Sequence, residues 1–148
     1  MKYFTINELT KSATAAKLGI ANTPSAAERA NIVALINNVL DPLRSAWGKP
    51  IVVNSGYRCE ALNSAVHGAP NSQHIKGMAA DIEAVTRDPD DNRALFNLAR
   101  SLRLPFDQII NEYGYSWVHI SYNNGGAQRG NALEAKSAGG KTVYVVAK

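Results

Sequence analysis

The chain has 148 residues, of which 45% are hydrophobic and 19% charged, and this balance is typical of a globular domain rather than a disordered or fibrous protein. The net charge of +4 comes without a dense run of Lys and Arg interleaved with aromatic residues, which argues against a nucleic-acid-binding protein. No apolar run is long enough to span a membrane, and the single cysteine, Cys59, excludes an intrachain disulfide. We therefore expect one domain, residues 1–148, that does not insert into a membrane. We also expect a monomer.

Helix signals dominate the N-terminal third of the chain. The capping-box patterns T-x-x-E at residues 5–8 and S-x-x-E at residues 25–28 predict the starts of a short first helix and a longer second one. The longer helix carries an apolar stripe at helical spacing, formed by Ile32, Leu35, Ile36, Val39, Leu40, Leu43 and Trp47. Pro42 interrupts this stripe, so we expect the helix to kink there or to restart after Asp41.

The rest of the chain reads mainly as short strands separated by loops and two helices. Strands are predicted at residues 51–53, 78–83, 107–111, 117–121 and 142–146, and helices at 60–66 and 88–103. The Gly-containing segments 123–126 and 137–140 are turn signals, and the second predicts a hairpin or an edge strand. These elements predict an α+β fold with helices packed on a small, mainly antiparallel sheet.

Two histidines and one aspartate are candidate ligands of a single metal ion. His74 lies in the predicted loop 68–76, and Asp81 follows on the next strand. The period-two alternation of residues 117–121 places His119 on the face opposite its apolar neighbours, and Asp81 alternates in the same way. A catalytic zinc takes three nitrogen or oxygen ligands from the protein and leaves its fourth position to water. If the three side chains converge, we expect a zinc hydrolase with its site in a cleft on the exposed face of the sheet.

Four segments of the chain, in this order, resemble the zinc D-Ala-D-Ala carboxypeptidase family of peptidoglycan peptidases, peptidase family M15. They are S-G-Y-R at 55–58, L-N-x-x-V at 62–66, S-x-H-x-x-G-x-A-x-D at 72–81 and W-x-H at 117–119. The F-T-x-x-E-L-T segment at 4–10 is similar to the N-termini of short family members found in phage and prophage genomes. The resemblance runs from about Phe4 to about Tyr122, and it implies the same α+β architecture and a zinc cofactor.

The resemblance also implies roles for individual residues. His74, Asp81 and His119 match the zinc ligands of the family. Arg58 matches an arginine that holds a substrate carboxylate, and Ser72 matches a serine that hydrogen-bonds substrate near the metal. For Arg58 there is independent support, because a guanidinium presents a planar fork that suits a carboxylate, and cell-wall stem peptides carry carboxylates at or near the cut bond.

At the position of the general base, this sequence differs from several family members. Those members have an acidic residue three positions before the last zinc histidine. This chain has Ser116 there, and serine is too weak a base. Our candidate is Glu112, seven positions before His119, because a nearby carboxylate can take a proton from the attacking water and pass it to the leaving amine. Asp107 is the second candidate. The alternative for Glu112 is an exposed glutamate at a strand end without a catalytic role.

Three further residues are not assigned a catalytic role. His67 is expected to be a loop histidine at the edge of the cleft, since no partners for a second metal site are evident. Trp117 and Tyr57 are each expected either to form a wall of the substrate groove or to pack inward.

The resemblance implies hydrolysis of a bond in peptidoglycan stem peptides, as an L-Ala/D-Glu endopeptidase or as a D-Ala-D-Ala carboxypeptidase. A lytic role, as in a phage or prophage lysin, favours the endopeptidase because only an internal cut opens the mesh. The alternative is a catalytically weak peptidoglycan-binding or phage-particle component that retains the zinc fold. Residues 1–8 lack the apolar core of a signal peptide, so we expect a cytoplasmic protein that acts on the bacterial cell wall after release.

Overall fold

The computed structural model describes residues 1–148 and contains six α-helices and a six-stranded sheet. The helices are α1 (Ile6–Thr10), α2 (Ala13–Leu18), α3 (Ala26–Leu35), α4 (Asp41–Trp47), α5 (Glu60–Ala65) and α6 (Pro89–Ser101). The strands are β1 (Ile51–Ser55), β2 (Ala79–Ala84), β3 (Gln108–Glu112), β4 (Trp117–Ser121), β5 (Asn131–Ala138) and β6 (Lys141–Val146). The predicted α+β class is confirmed. No helix is long and apolar enough to cross a membrane.

The N-terminal helices begin and end where the local sequence signals lie. The Ser25 hydroxyl accepts from the Glu28 N–H and the Glu28 carboxylate accepts from the Ser25 N–H, which completes the predicted capping box. After α3 the chain makes one π-helical turn, Ile36–Leu40, and α4 then restarts with Pro42 in its first turn. Because proline has no N–H to donate to the preceding turn, the wider turn takes up the interruption. Of the two predicted outcomes, a kink or a restart after Asp41, the structure shows a new helical segment, α4, which follows the π-helical turn directly and begins at Asp41.

The sheet has the strand order β1-β2-β4-β3-β5-β6 and is mixed. Strands β3 and β5 run parallel, whereas the other neighbouring strands are antiparallel. The expected mainly antiparallel sheet is therefore corrected to a mixed one. The difference arises from β5, which was not predicted because its sequence, N-A-L-E-A-K-S-A, has no β-branched or aromatic residue to indicate a strand.

The hydrophobic core lies between the helices and one face of the sheet. The apolar stripe of α3 to α4 is buried against alternate strand residues, namely Ala80, Ile82, Ile109, Val118 and Ile120. The residues between them point to the opposite face, which the helices leave open. Period-two alternation therefore puts Asp81 and His119 on the open face, as predicted.

The C-terminal strands form the predicted hairpin. Gly139 and Gly140 make its two-residue turn with φ of 57° and 78°, a conformation that favours glycine at both positions. Strand β6 is one of the two edge strands of the sheet, and all of its residues are exposed.

Candidate metal centre

The fold brings together the three side chains that the sequence predicted as metal ligands. Asp81 on β2 and His119 on β4 are direct cross-strand partners, and His74 lies in a short 3₁₀ turn, Gln73–Lys76. His119 Nδ1 is 3.0 Å and His74 Nε2 is 3.3 Å from the same oxygen, Asp81 Oδ1. One donor atom from each residue lies within 4.8 Å of the other two, so the group could hold a metal ion.

The position of His74 is set by the residues at both ends of its turn. The Ser72 hydroxyl accepts a hydrogen bond from the His74 N–H at 3.1 Å and so begins the turn. Gly77 ends the turn with φ of 73°, and a Cβ there would lie 2.7 Å from the Glu28 carbonyl oxygen. The turn therefore needs glycine at this position for both its conformation and its close packing against α3.

The hydrogen bonds of the histidines fit a metal centre. His74 Nδ1 is 2.7 Å from the Gly56 carbonyl oxygen, so this nitrogen carries the proton and the lone pair of Nε2 faces Asp81. A histidine ligand commonly donates its other ring N–H to a carbonyl in this way. Gly56 itself packs so closely that a Cβ would lie 2.3 Å from the Leu9 carbonyl oxygen. Two imidazole nitrogens and one carboxylate oxygen match the ligand set of a catalytic zinc with an open fourth position.

The charges around Asp81 keep it ionised. Burial alone would raise the pKa of Asp81, but the attraction of the two histidines and the hydrogen bond from His119 outweigh burial and hold the pKa well below its usual range. Arg58 lies 3.4 Å from the second carboxylate oxygen, Oδ2. The Asp81 carboxylate can therefore bind a metal ion through Oδ1 while Oδ2 contacts Arg58.

Arg58 is fixed by the residues around it. Its Nε donates to the Ser55 hydroxyl at 3.0 Å and one terminal nitrogen donates to Asn63 Oδ1 at 3.2 Å. Gly68 closes over this pair, and a Cβ there would lie 2.0 Å from Asn63 Oδ1. Ser55, Asn63 and Asp81 accept from three of the five N–H donors of the guanidinium, so two donors have no partner within the protein, and Arg58 lines the adjoining pocket. The contact between Arg58 and Asp81 was not predicted from the sequence.

Glu112 lies at the end of β3, on the same open face as the metal group. Its neighbour two positions earlier, Ile110, is the cross-strand partner of His119, so Glu112 is diagonal to that histidine. Only 9% of Glu112 is exposed, yet its carboxylate makes no hydrogen bond or ion pair with the protein. Burial raises its pKa, the Asp81 charge raises it further, and His119 partly opposes both. Glu112 is therefore a buried carboxyl with a free face toward the site.

The second candidate for the base, Asp107, is fully occupied by other partners. It accepts from the Arg129 guanidinium at 2.7 Å and from Gln73 Nε2 at 2.9 Å. Burial would raise the pKa of Asp107, but the hydrogen bonds from Arg129 outweigh burial and lower the pKa. A carboxylate held in this way is a poor proton acceptor.

Ser116 is exposed, and its hydroxyl donates to the Tyr113 carbonyl oxygen at 2.8 Å.

A pocket of about 510 Å³ surrounds the metal group and contains the other predicted site residues. Its lining includes Arg58, Ser72, Glu112 and Trp117 together with the three candidate ligands. Three more lining residues, Arg129, Leu133 and Tyr144, come from the C-terminal part of the chain and were not predicted. A cavity of about 640 Å³ beside β1 meets this pocket only at Arg58 and holds no candidate ligand.

Of the three residues without an assigned catalytic role, one lines the pocket and two do not. Trp117 is half-buried and lines the pocket. Tyr57 is packed in the hydrophobic core, so it is not a wall of the groove, and burial raises its pKa to about 12. His67 is exposed in a left-handed conformation with φ of 58° and does not line the pocket.

Comparisons with known proteins agree with this geometry. The zinc D-Ala-D-Ala carboxypeptidase of Streptomyces albus G is 52% identical to the chain over 46 residues, which is 30% of this chain and 18% of that protein. The match thus spans less than a fifth of this relative's own length. The family model described as Peptidase M15 matches residues 2–121, a range that contains the whole His-Asp-His group. Zinc is the metal expected at this group from both comparisons, and the chain belongs to peptidase family M15.

Proposed function

We propose that this protein is a zinc-dependent peptidase that hydrolyses a bond in the stem peptides of peptidoglycan. The observation that carries the proposal is the convergence of two imidazole nitrogens and one carboxylate beside Glu112, in one pocket. His74, Asp81 and His119 would hold the zinc ion, which when bound polarises a peptide carbonyl and makes water a stronger nucleophile. The zinc D-Ala-D-Ala carboxypeptidase from Streptomyces supports a cell-wall peptide as the substrate.

Glu112 is proposed as the general base and then the general acid. It takes a proton from the attacking water and delivers it to the nitrogen of the leaving amine. Two observations support this role: the carboxylate has no partner in the protein, and burial raises its pKa toward the range where a proton can be both accepted and returned. Asp107 lacks both properties because Arg129 and Gln73 bind it.

Arg58 and Ser72 are proposed to orient the substrate. Arg58 keeps two free N–H donors at the pocket while its other donors bind Ser55, Asn63 and Asp81, so its guanidinium is held rigidly for a substrate carboxylate. The Ser72 hydroxyl accepts from the His74 N–H and keeps its own proton to donate to a peptide carbonyl.

The proposed role is that of a phage or prophage lysin that reaches the cell wall after release and cuts between L-Ala and D-Glu. The competing specificity is removal of a terminal D-Ala. Digestion of purified peptidoglycan, with the new termini identified by mass spectrometry, separates them: the endopeptidase creates new D-Glu amino termini, and the carboxypeptidase releases free D-Ala. Absence of any new terminus with the zinc-loaded protein would contradict the proposal and favour a peptidoglycan-binding component.

A further inference from the structure

The C-terminal hairpin, strands β5 and β6, lies outside the residues that match the family, 2–121. It nevertheless contributes Leu133 and Tyr144 to the pocket that holds the His-Asp-His group. In the sheet, Ile110 lies between His119 and Leu133, so the hairpin faces the metal group across β3. The two strands therefore form the wall of the pocket opposite the candidate ligands.

Tyr144 lies in one row of the sheet with the proposed base. The paired residues of this row, from β4 to β6, are Trp117, Glu112, Ala135 and Tyr144. With neighbouring strands about 4.8 Å apart, the backbones of Glu112 and Tyr144 are separated by about 10 Å across the small side chain of Ala135. A tyrosine side chain can cover most of that distance, and Ala135 beneath it is fully buried.

The environment of the phenol agrees with this orientation. Burial raises the pKa of Tyr144, and the charges of Glu112, Tyr113 and Asp81 raise it further. The hydroxyl is therefore a neutral hydrogen-bond donor, and Tyr144 lines the same pocket as Glu112 and Asp81. No hydrogen bond occupies it within the protein, and Tyr144 remains 56% exposed at the mouth of the pocket.

Contacts at both ends hold the hairpin in place. Before β5, Asp107 binds the Arg129 guanidinium and its carbonyl oxygen accepts from the Asn131 N–H at 3.1 Å. Beside β6, the Tyr113 hydroxyl is hydrogen-bonded to the Thr142 hydroxyl, and the Tyr113 N–H donates to the Ala135 carbonyl oxygen at 3.1 Å. The wall is thus attached to the same β3 strand that carries Glu112.

We propose that Tyr144 is a substrate-positioning residue, whose ring forms the pocket wall facing the His-Asp-His group and whose hydroxyl donates a hydrogen bond to a peptide carbonyl of the substrate. The proposal rests on the peptidase function proposed above. It assigns a role in substrate binding to the C-terminal hairpin, beyond the residues that match the family.

The test compares Tyr144→Ala and Tyr144→Phe with a control, Val145→Ala, at an exposed neighbour that points to the opposite sheet face. Each change is made in the Glu112→Gln chain, which should not hydrolyse a soluble stem peptide. The Kd of that peptide for each variant is then measured by calorimetry. The same changes in the otherwise unaltered chain give kcat and KM.

Tyr144→Ala should weaken peptide binding and raise KM about tenfold, and Tyr144→Phe about threefold, because the first removes the ring and the second only the hydrogen bond. Val145→Ala should bind the peptide as the parent does. An unchanged Kd for Tyr144→Ala would overturn the proposal. The absence of peptide binding by the Glu112→Gln chain without further changes would also overturn it. A parent chain that binds peptide through Tyr144 but never hydrolyses it would instead contradict the peptidase function alone.

Discussion

Glu112→Gln should remove catalysis while leaving the fold intact. Glutamine keeps the shape of the side chain but cannot accept the proton of the attacking water. A positioned general acid–base residue contributes roughly 10²- to 10⁴-fold to a rate, which corresponds to about 3–5 kcal/mol of the activation barrier. We expect kcat to fall by that factor, with KM and zinc content unchanged, because the carboxylate contacts no candidate ligand.

The same substitution should not lower stability. The folded protein raises the pKa of Glu112, mainly by burial, so ionising this carboxyl is harder in the folded than in the unfolded chain. A carboxyl of this kind opposes folding at pH values above its folded pKa and has no effect below its unfolded pKa, about 4.3. Glu112→Gln should therefore be at least as stable as the parent at pH 7, and the difference should vanish near pH 3.

The assays are steady-state hydrolysis of a soluble stem peptide and thermal unfolding at pH 7 and pH 3. A matched control is Glu134→Gln, which makes the same chemical change on β5, away from the pocket lining. The control should keep full activity. A Glu112→Gln chain that retains more than a tenth of the parent's kcat would refute the assignment of the base.

Three further changes test other parts of the site. Arg58→Gln should raise KM about 10- to 100-fold in peptide hydrolysis, because charge-assisted hydrogen bonds contribute about 1.5–3 kcal/mol; an unchanged KM would contradict its role. Gly68→Ala places a Cβ only 2.0 Å from Asn63 Oδ1, the atom that accepts from Arg58. The clash should displace Arg58 and raise KM, while the zinc content stays that of the parent. Asp107→Asn should lower the free energy of unfolding by about 2–3 kcal/mol at pH 7 in urea titrations. The folded state lowers the pKa of Asp107, so the full difference in the free energy of unfolding between the variant and the parent should be present above about pH 4. This difference should disappear as the pH falls through the folded pKa. A difference that persists in acid would contradict the ion pair.

The orientation of each candidate ligand could be predicted from its own short segment, whereas the convergence of the three was implied by the family resemblance and depends on the pairing of β2 with β4. Period-two alternation alone put Asp81 and His119 on the open face of their strands, and the turn around His74 is set by Ser72 and Gly77. The apolar stripe and the proline similarly predicted the helix restart. These features depend on interactions within a few residues, which the sequence displays directly.

The unpredicted features depend on contacts between distant parts of the chain. The pairing of Arg58 with Asp81 and of Asp107 with Arg129 joins residues 23 and 22 positions apart. The parallel pairing of β3 with β5 places Tyr144 at the pocket, although the sequence of β5 lacks the pattern of a strand. Tertiary pairing there overrides local propensity, because β5 gains its hydrogen bonds from strands on both sides.

The most direct test of the zinc peptidase is the metal content of the purified chain measured together with its activity on peptidoglycan. A zinc peptidase should contain one zinc per chain, lose hydrolysis after thorough chelation, and recover hydrolysis when zinc is returned. His119→Ala should lose both the zinc and the hydrolysis, because it removes one of only three candidate ligands. Hydrolysis that survives complete removal of the metal would contradict a zinc peptidase, and full zinc binding by His119→Ala would contradict His119 as a ligand.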